Sequence, residues 1–134
     1  SNTVGRSALV SGNEMLFDGQ NPIAFALQFA KPMPKASLQI TDASGNIVKS
    51  IDLGAVQSDL MNMYWDGLGT DGQQLQAGKY RIVAKGVDGT SEMSPSTFVS
   101  SIVAAVGRTG NDINLTLADG KKILPKDVVQ WVIQ

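Results

Sequence analysis

The chain has 134 residues, one domain by length or two small ones packed together. It is 43% hydrophobic and 17% charged, with 11 basic and 12 acidic residues and a net charge of −1. That balance supplies a core, argues against disorder and offers no clustered Lys and Arg for a phosphate backbone, so no nucleic-acid partner is expected.

Cysteine and histidine are both absent. Disulfides, a thiolate nucleophile and a Ser-His-Asp triad are therefore ruled out, and the commonest transition-metal ligand is missing. Carboxylate pairs and Ser-Lys arrangements are the catalytic options left, and the expectation is a non-enzyme without a cofactor or small-molecule substrate. Residues 1–20 lack a basic start followed by an apolar run, and no apolar stretch approaches membrane-span length. No membrane partner is expected. Ser1 and Asn2 read as an expression remnant, so the natural protein is expected to begin earlier.

In chain order, Ile23, Phe25, Leu27 and Phe29 alternate with Ala24, Ala26 and Gln28, which predicts a strand with one buried face. Leu38 and Ile40 begin a strand that turns at 42–46, where Gly45 or Asn46 adopts positive φ cheaply. Ile47 to Leu53 returns, so Leu38 to Leu53 reads as a hairpin. Met61, Met63 and Trp65 share one face of the next strand. Tyr80, Ile82 and Ala84 point inward from another, with Arg81, Val83 and Lys85 outward. Residues 88–92 form a loop.

The last third continues in the same style. Ile102, Ala104 and Val106 alternate, as do Ile113, Leu115 and Leu117. Asp119-Gly120 makes a tight turn into Lys122-Ile123-Leu124, and Pro125-Lys126-Asp127 reads as one 3₁₀ turn. Val129, Trp131 and Ile133 close the chain as a strand. No sustained i, i+3, i+4 pattern predicts a long helix. Val4-Gly5-Arg6 and Val106-Gly107-Arg108 repeat three residues, a match that chance explains.

Several stretches imitate chemistry. Gly67-Leu68-Gly69-Thr70-Asp71-Gly72 fits G-x-G-x-x-G literally, but the dinucleotide motif requires a helix at its end, and another strand follows instead. Asp59, Asp66 and Asp71 lack the short regular spacing of a calcium loop, and Asp66 and Asp71 are each followed by glycine, a turn dipeptide. Asn114-Leu115-Thr116 is a formal glycosylation sequon inside a predicted strand. Asp88, Glu92 and Asp112 make an acid pair only if the fold gathers them. Trp65 and Trp131 lie on apolar faces, where core packing with the indole N–H on a backbone carbonyl is expected. Met33, Met61 and Met63 are adaptable contacts by chemistry, with core filling expected of Met61 and Met63.

The stretch Trp65-Asp66-Gly67, Asp71-Gly72, Leu75 and Gly78-Lys79-Tyr80 carries the most information. It is a strand ending in an Asp-Gly turn, then a second Asp-Gly turn, then a Gly-x-Tyr strand entry. This pattern resembles the fibronectin- and immunoglobulin-like domain of the bacterial flagellar hook-capping proteins, also called basal-body rod modification proteins. Ile40-Thr41-Asp42 through Gly45-Asn46-Ile47-Val48 resembles that family's preceding strand pair. Val4-Gly5-Arg6, Val10 and Gly12 resemble its entry strand, and Leu115-Thr116-Leu117, Gly120 and Asp127-Val128 its closing segment. Ser101-Ile102-Val103 and Val106-Gly107-Arg108 depart from the G-x-V-x-x-V run of the family.

The resemblance implies an all-β fold: a fibronectin III/Ig-like sandwich at 21–96, inserted into a small Tudor/SH3-like barrel built from 1–20 plus 97–134. It implies a non-catalytic hook cap at the distal end of the growing hook, guiding hook subunits, self-associating, and exported by the flagellar type III route without a cleaved signal peptide. Trp65, Asp66, Gly67, Asp71, Gly72, Leu75, Gly78 and Tyr80 are then a structural motif. An Ig-like accessory or adhesion module of a secreted bacterial protein is the alternative, in which residues 1–20 would not pair with residues 101–134.

A barrel of about 55 residues is marginal alone, so the sandwich is expected to pack on it through an apolar interface. Limited proteolysis near Asn21 and Pro95 is therefore expected to leave fragments that co-elute in gel filtration; freely separating, folded fragments would contradict this.

Overall fold

A computed structural model describes residues 3–133. Ser1 and Asn2, read above as a remnant, lie outside the described residues. The described residues form twelve strands: β1 (Ser7–Ser11), β2 (Glu14–Phe17), β3 (Ile23–Gln28), β4 (Met33–Asp42), β5 (Ile47–Val56) and β6 (Met61–Trp65) come first. Then come β7 (Gly78–Asp88), β8 (Ser91–Met93), β9 (Ser96–Thr109), β10 (Asp112–Leu117), β11 (Lys122–Ile123) and β12 (Gln130–Trp131). The only helical piece among the described residues is the expected 3₁₀ turn, Pro125–Asp127.

Two sheets face each other across the core. One runs β2-β7-β4-β5, with β8 also on β7; the other is organised by β9. Val99 pairs with Val10 of β1 on one edge and with Phe25 of β3 on the other, and β6 lies beyond β3. Further along, β9 leaves β3 and takes β10 on that same edge, from Leu117↔Val103 to Asp112↔Thr109. β1 also pairs with β12 through Ala8↔Trp131, and β10 with β11 through Leu115↔Ile123. Residues 7–11 thus pair with both 98–102 and 130–131, which the accessory-module alternative does not allow.

Alternation explains the elements. In β7, Tyr80, Ile82 and Ala84 are buried while Arg81, Val83 and Lys85 face out, as the sequence pattern predicts. Ile23, Phe25, Leu27 and Phe29 are buried in turn. The β4–β5 hairpin turns on Gly45 at φ +88°.

One apolar cluster runs from Phe17, Trp65 and Tyr80 through Phe25, Ile82 and Val99 to Val103, Leu115 and Leu117. The small sheet around β10 therefore shares its core with the sandwich. A second cluster of Phe29, Met33, Ala36 and Val56 closes the opposite end.

Three details depart from the sequence pattern. β2, on the barrel side of the expected boundary, runs against β7 from Glu14↔Arg81 to Phe17↔Gly78. Its alternating Met15 and Phe17 find the sandwich core there. In β9, Val99 and Val103 are buried, whereas Ile102 and Val106 are 49% and 42% exposed. The apolar alternation marked the outer face, because the inner residues of this strand meet two different environments. At the end of the described residues only Gln130–Trp131 is strand, and Ile133 is exposed. Trp131 is half-buried with the Arg6 guanidinium 4.5 Å from its ring centroid, a cation–π contact rather than full core packing.

Asp42 holds the β4–β5 turn. Its carboxylate accepts from the amides of Ser44 (3.0 Å) and Asn46 (2.9 Å) and from the Asn46 side chain (3.2 Å). These bonds, the Asn46 amide foremost, hold its pKa below the ordinary 3.8. Asp18 is lowered in the same way, by Asn21 first and then Gln20. A carboxyl lowered in the folded state stabilises fully above its ordinary value, and that contribution is lost as pH falls through the folded pKa. NMR titration of the side-chain carboxyls is expected to find Asp42 and Asp18 ionising below the ordinary 3.8. Asp42→Ala should reduce the loss of stability on acidification below 3.8.

Candidate interaction surfaces

The eight motif residues meet at one corner of the sandwich. Trp65 ends β6, is 2% exposed, and its indole N–H donates to the Leu68 carbonyl at 3.0 Å. Its ring packs on Phe17 and Tyr80, with centroids 5.1 and 4.9 Å away. Phe17 and Tyr80 complete the triangle edge-on at 6.1 Å. Such tilted contacts add about 0.5–1.5 kcal/mol each beyond burial. The Tyr80 hydroxyl donates to the Gln76 carbonyl at 2.6 Å, the backward bond of an immunoglobulin tyrosine corner. Burial, then the nearby Asp42 charge, raises the Tyr80 pKa above its ordinary 10.0.

The loop between β6 and β7 is two nested turns. Asp66 accepts from the Leu68 amide and Asp71 from the Gln73 amide, each at 3.0 Å. Gly67 and Gly72 lie at φ +80° and +83°. Leu75 returns its amide to the Gly67 carbonyl and leans on the main core. Gly78 opens β7 opposite Phe17. The G-x-G-x-x-G stretch is followed by this return and by β7, not by a helix. Thr70, at its tip, donates its amide to the Val48 carbonyl and accepts from the Ser50 amide. The loop thereby seals part of the β5 edge.

Asp66 and Asp71 thus each direct one carboxylate oxygen to their own turn. Among the described residues no three His, Cys, Asp or Glu side chains are grouped to hold a metal. Glu92 pairs with Lys85 at 3.7 Å across β7 and β8, and Asp112 lies on β10. Asn114 of the sequon is in β10 with its side-chain amide on the Thr109 hydroxyl.

Six of the exposed apolar side chains gather in two places, while others, such as Ile47 and Val83, stand singly. Leu16, Tyr64, Ile102 and Ile133 line one broad open groove, and Tyr64 is 63% exposed. Val106 and Ile113 stand exposed on the β9–β10 hairpin with Arg108 opposite Ile113. Neither place is singled out by the sequence reading. The available signal is an apolar residue on the polar phase of an alternating strand, as Tyr64 shares phase with Asn62. The methionines also reverse their expected roles: Met33 is buried at 2%, while Met61 and Met63 remain half-covered. β6 is an edge strand, so the side chains it turns inward have a neighbouring strand on one side only.

The aromatic corner, the tyrosine bond and the facing antiparallel sheets define an immunoglobulin-like sandwich domain. More particularly, the chain belongs to the family described as the FlgD Ig-like domain, whose model matches residues 12–90. It is 26% identical over 124 residues to the basal-body rod modification protein FlgD of Escherichia coli K12, covering 86% of this chain and 54% of that protein. The Salmonella typhimurium protein of the same name is 27% identical over 93 residues, 68% of this chain and 40% of that one. The chain thus spans about half the length of the curated relatives it matches. The crystal structure of FlgD from P. aeruginosa superposes with a TM-score of 0.83 at 22% identity, covering 98% of this chain and 99% of that one. FlgD from Xanthomonas campestris, whose structure is described as giving insight into the hook capping essential for flagellar assembly, gives 0.77 at 24% identity, covering 97% and 94%. At these identities the two structures support the fold.

The corner makes a paired prediction. A Cβ on Gly67 would stand 2.1 Å from the Phe17 ring, whereas one on Gly72 meets nothing within 4 Å. Chemical denaturation is expected to show Gly67→Ala costing about 3 kcal/mol, overpacking added to backbone strain, and Gly72→Ala about 1 kcal/mol from strain alone.

Proposed function

We propose that this chain is the globular, non-catalytic part of a flagellar hook cap, which sits at the distal end of the growing hook and guides hook subunits into place. The family match over residues 12–90, with 26% identity to the E. coli protein across 86% of the chain, carries this reading. The fold supports it physically. A single core continuous from the aromatic corner to Leu115 and Leu117 makes a rigid body, and rigid bodies present loops and edges without an ordering cost on binding.

Hook subunits are the proposed partners, with further copies of the chain beside them. The exposed apolar groove and the β9–β10 hairpin supply a few anchors within a polar surround, the arrangement of a protein interface. Export by the flagellar route without a cleaved signal peptide belongs to the same proposal. So does the working division into a sandwich at 21–96 and a smaller barrel from 1–20 plus 97–134, with β2 seated on the sandwich side by its pairing.

A chimera tests the reading. The chain would replace the matching segment of the E. coli relative in a strain lacking that protein. Restored hooks under electron microscopy and restored swimming are expected. A chimera that is exported and folded yet leaves no hooks would sink the proposal.

A further inference from the structure

The two edge strands on one flank of the sandwich are guarded unequally. Met61 of β6 and Leu53 of β5 lean on the same small cluster, which places both edges on that flank. β5 is closed to another strand. Thr70 occupies its Val48 carbonyl and Ser50 amide. Further along, the Asp52 carboxylate takes the Gly54 amide while Gly54 bends the strand at φ +65°, and the register against β4 shifts repeatedly. Side-chain blocking and bulging are the devices that natural sheets use against edge pairing.

β6 carries none of them. Met61-Asn62-Met63-Tyr64-Trp65 has no charge, no proline and no glycine. Its register against β3 runs without a shift from Ile23↔Trp65 to Leu27↔Met61. Among the described residues, no backbone hydrogen bond reaches Met61–Trp65 except from β3. A second observation concerns the core beneath this edge. Met61 and Met63 point inward yet stay half-covered, and so do Ile51 and Leu53 of β5, which lean on the same clusters. An apolar seam is therefore left open alongside a free row of backbone donors and acceptors.

We infer that β6 is a strand-addition site for an extended, uncharged polypeptide segment of another protein, with apolar residues at alternate positions. The backbone row selects a strand, because only another extended backbone offers N–H and C=O groups at the same repeat. The seam selects the alternation, because every second side chain of an added strand lands on Met61, Met63, Ile51 and Leu53. Tyr64, on the opposite face, flanks the remaining side chains as a cross-strand neighbour. A second copy paired β6 to β6 is the poorer occupant. Five residues span about 17 Å, and such a strip falls well short of the roughly 800 Å² per partner that a stable dimer buries. The same strip suits a ligand that is taken up and released. This inference rests on the edge geometry and stands apart from the proposed function.

The test is amide hydrogen exchange by NMR on the ¹⁵N-labelled chain, with a terminally blocked, uncharged Gln-Thr-Val-Thr-Val-Thr-Gln peptide at about 5 mM, a range suited to a weak, small interface. Exchange at the outward amides of Met61–Trp65 is expected to slow about tenfold, with β5 changing less than about twofold. The same peptide with every backbone nitrogen methylated, which lacks the backbone N–H donors, is expected to do nothing. Unchanged β6 exchange overturns the inference, as does protection at β8 or β12 instead. A concentration-dependent dimer that protects β6 without peptide also overturns it, in favour of a second copy.

Discussion

Everything in this molecule is tied to one long strand. β9 hydrogen-bonds to β1 along one edge and successively to β3 and β10 along the other. Its inward Val99 and Val103 lie in the same apolar cluster as Phe25 of the sandwich and Leu115 and Leu117 of the small sheet. Two bodies joined by a flexible linker would each have to bury enough surface alone, and a sheet of this size cannot do so. Sharing a strand and a core removes that requirement. It also fixes the relative placement of the sandwich loops and the β9–β10 hairpin, since a hydrogen-bonded strand passing through both leaves no hinge between them.

The corner built on Trp65, Phe17 and Tyr80 does a similar job at the other end of the core. It brings β2, β6 and β7 to one point. In the loop that follows Trp65, Asp66 and Asp71 each accept a bond from a backbone amide two residues on, and the tip lies on β5. The glycines serve closeness rather than chemistry, most clearly at Gly67 beneath the Phe17 ring. A residue set that imitates a cofactor motif is thereby accounted for as the support of a rigid edge.

For a protein proposed to guide subunits, the relevant contrast is between sealed and open parts of its surface. β5 is sealed by Thr70 and by its own bend, while β6, Tyr64 and the apolar groove are left accessible. Rigid framework with localised open edges is a physical basis for brief, repeated contacts with other chains, because little ordering entropy opposes each encounter.

The sequence by itself determined most of the strands and the turns that follow Trp65. Period-two alternation placed Tyr80, Ile82 and Ala84 inward, and Asp-Gly pairs placed the turns at Asp66 and Asp71, because these are local consequences of strand geometry and of glycine at positive φ. The family pattern from Trp65 to Tyr80 was legible for the same reason: its residues contact one another through short chain separations. Only the tertiary structure decided which strands share an edge. That decision put β2 on β7, turned Val99 and Val103 rather than Ile102 and Val106 inward, buried Met33 and left Met61 and Met63 half-covered. Each of these depends on neighbours distant in sequence, and alternation states that a strand has two faces without saying what will lie against either one.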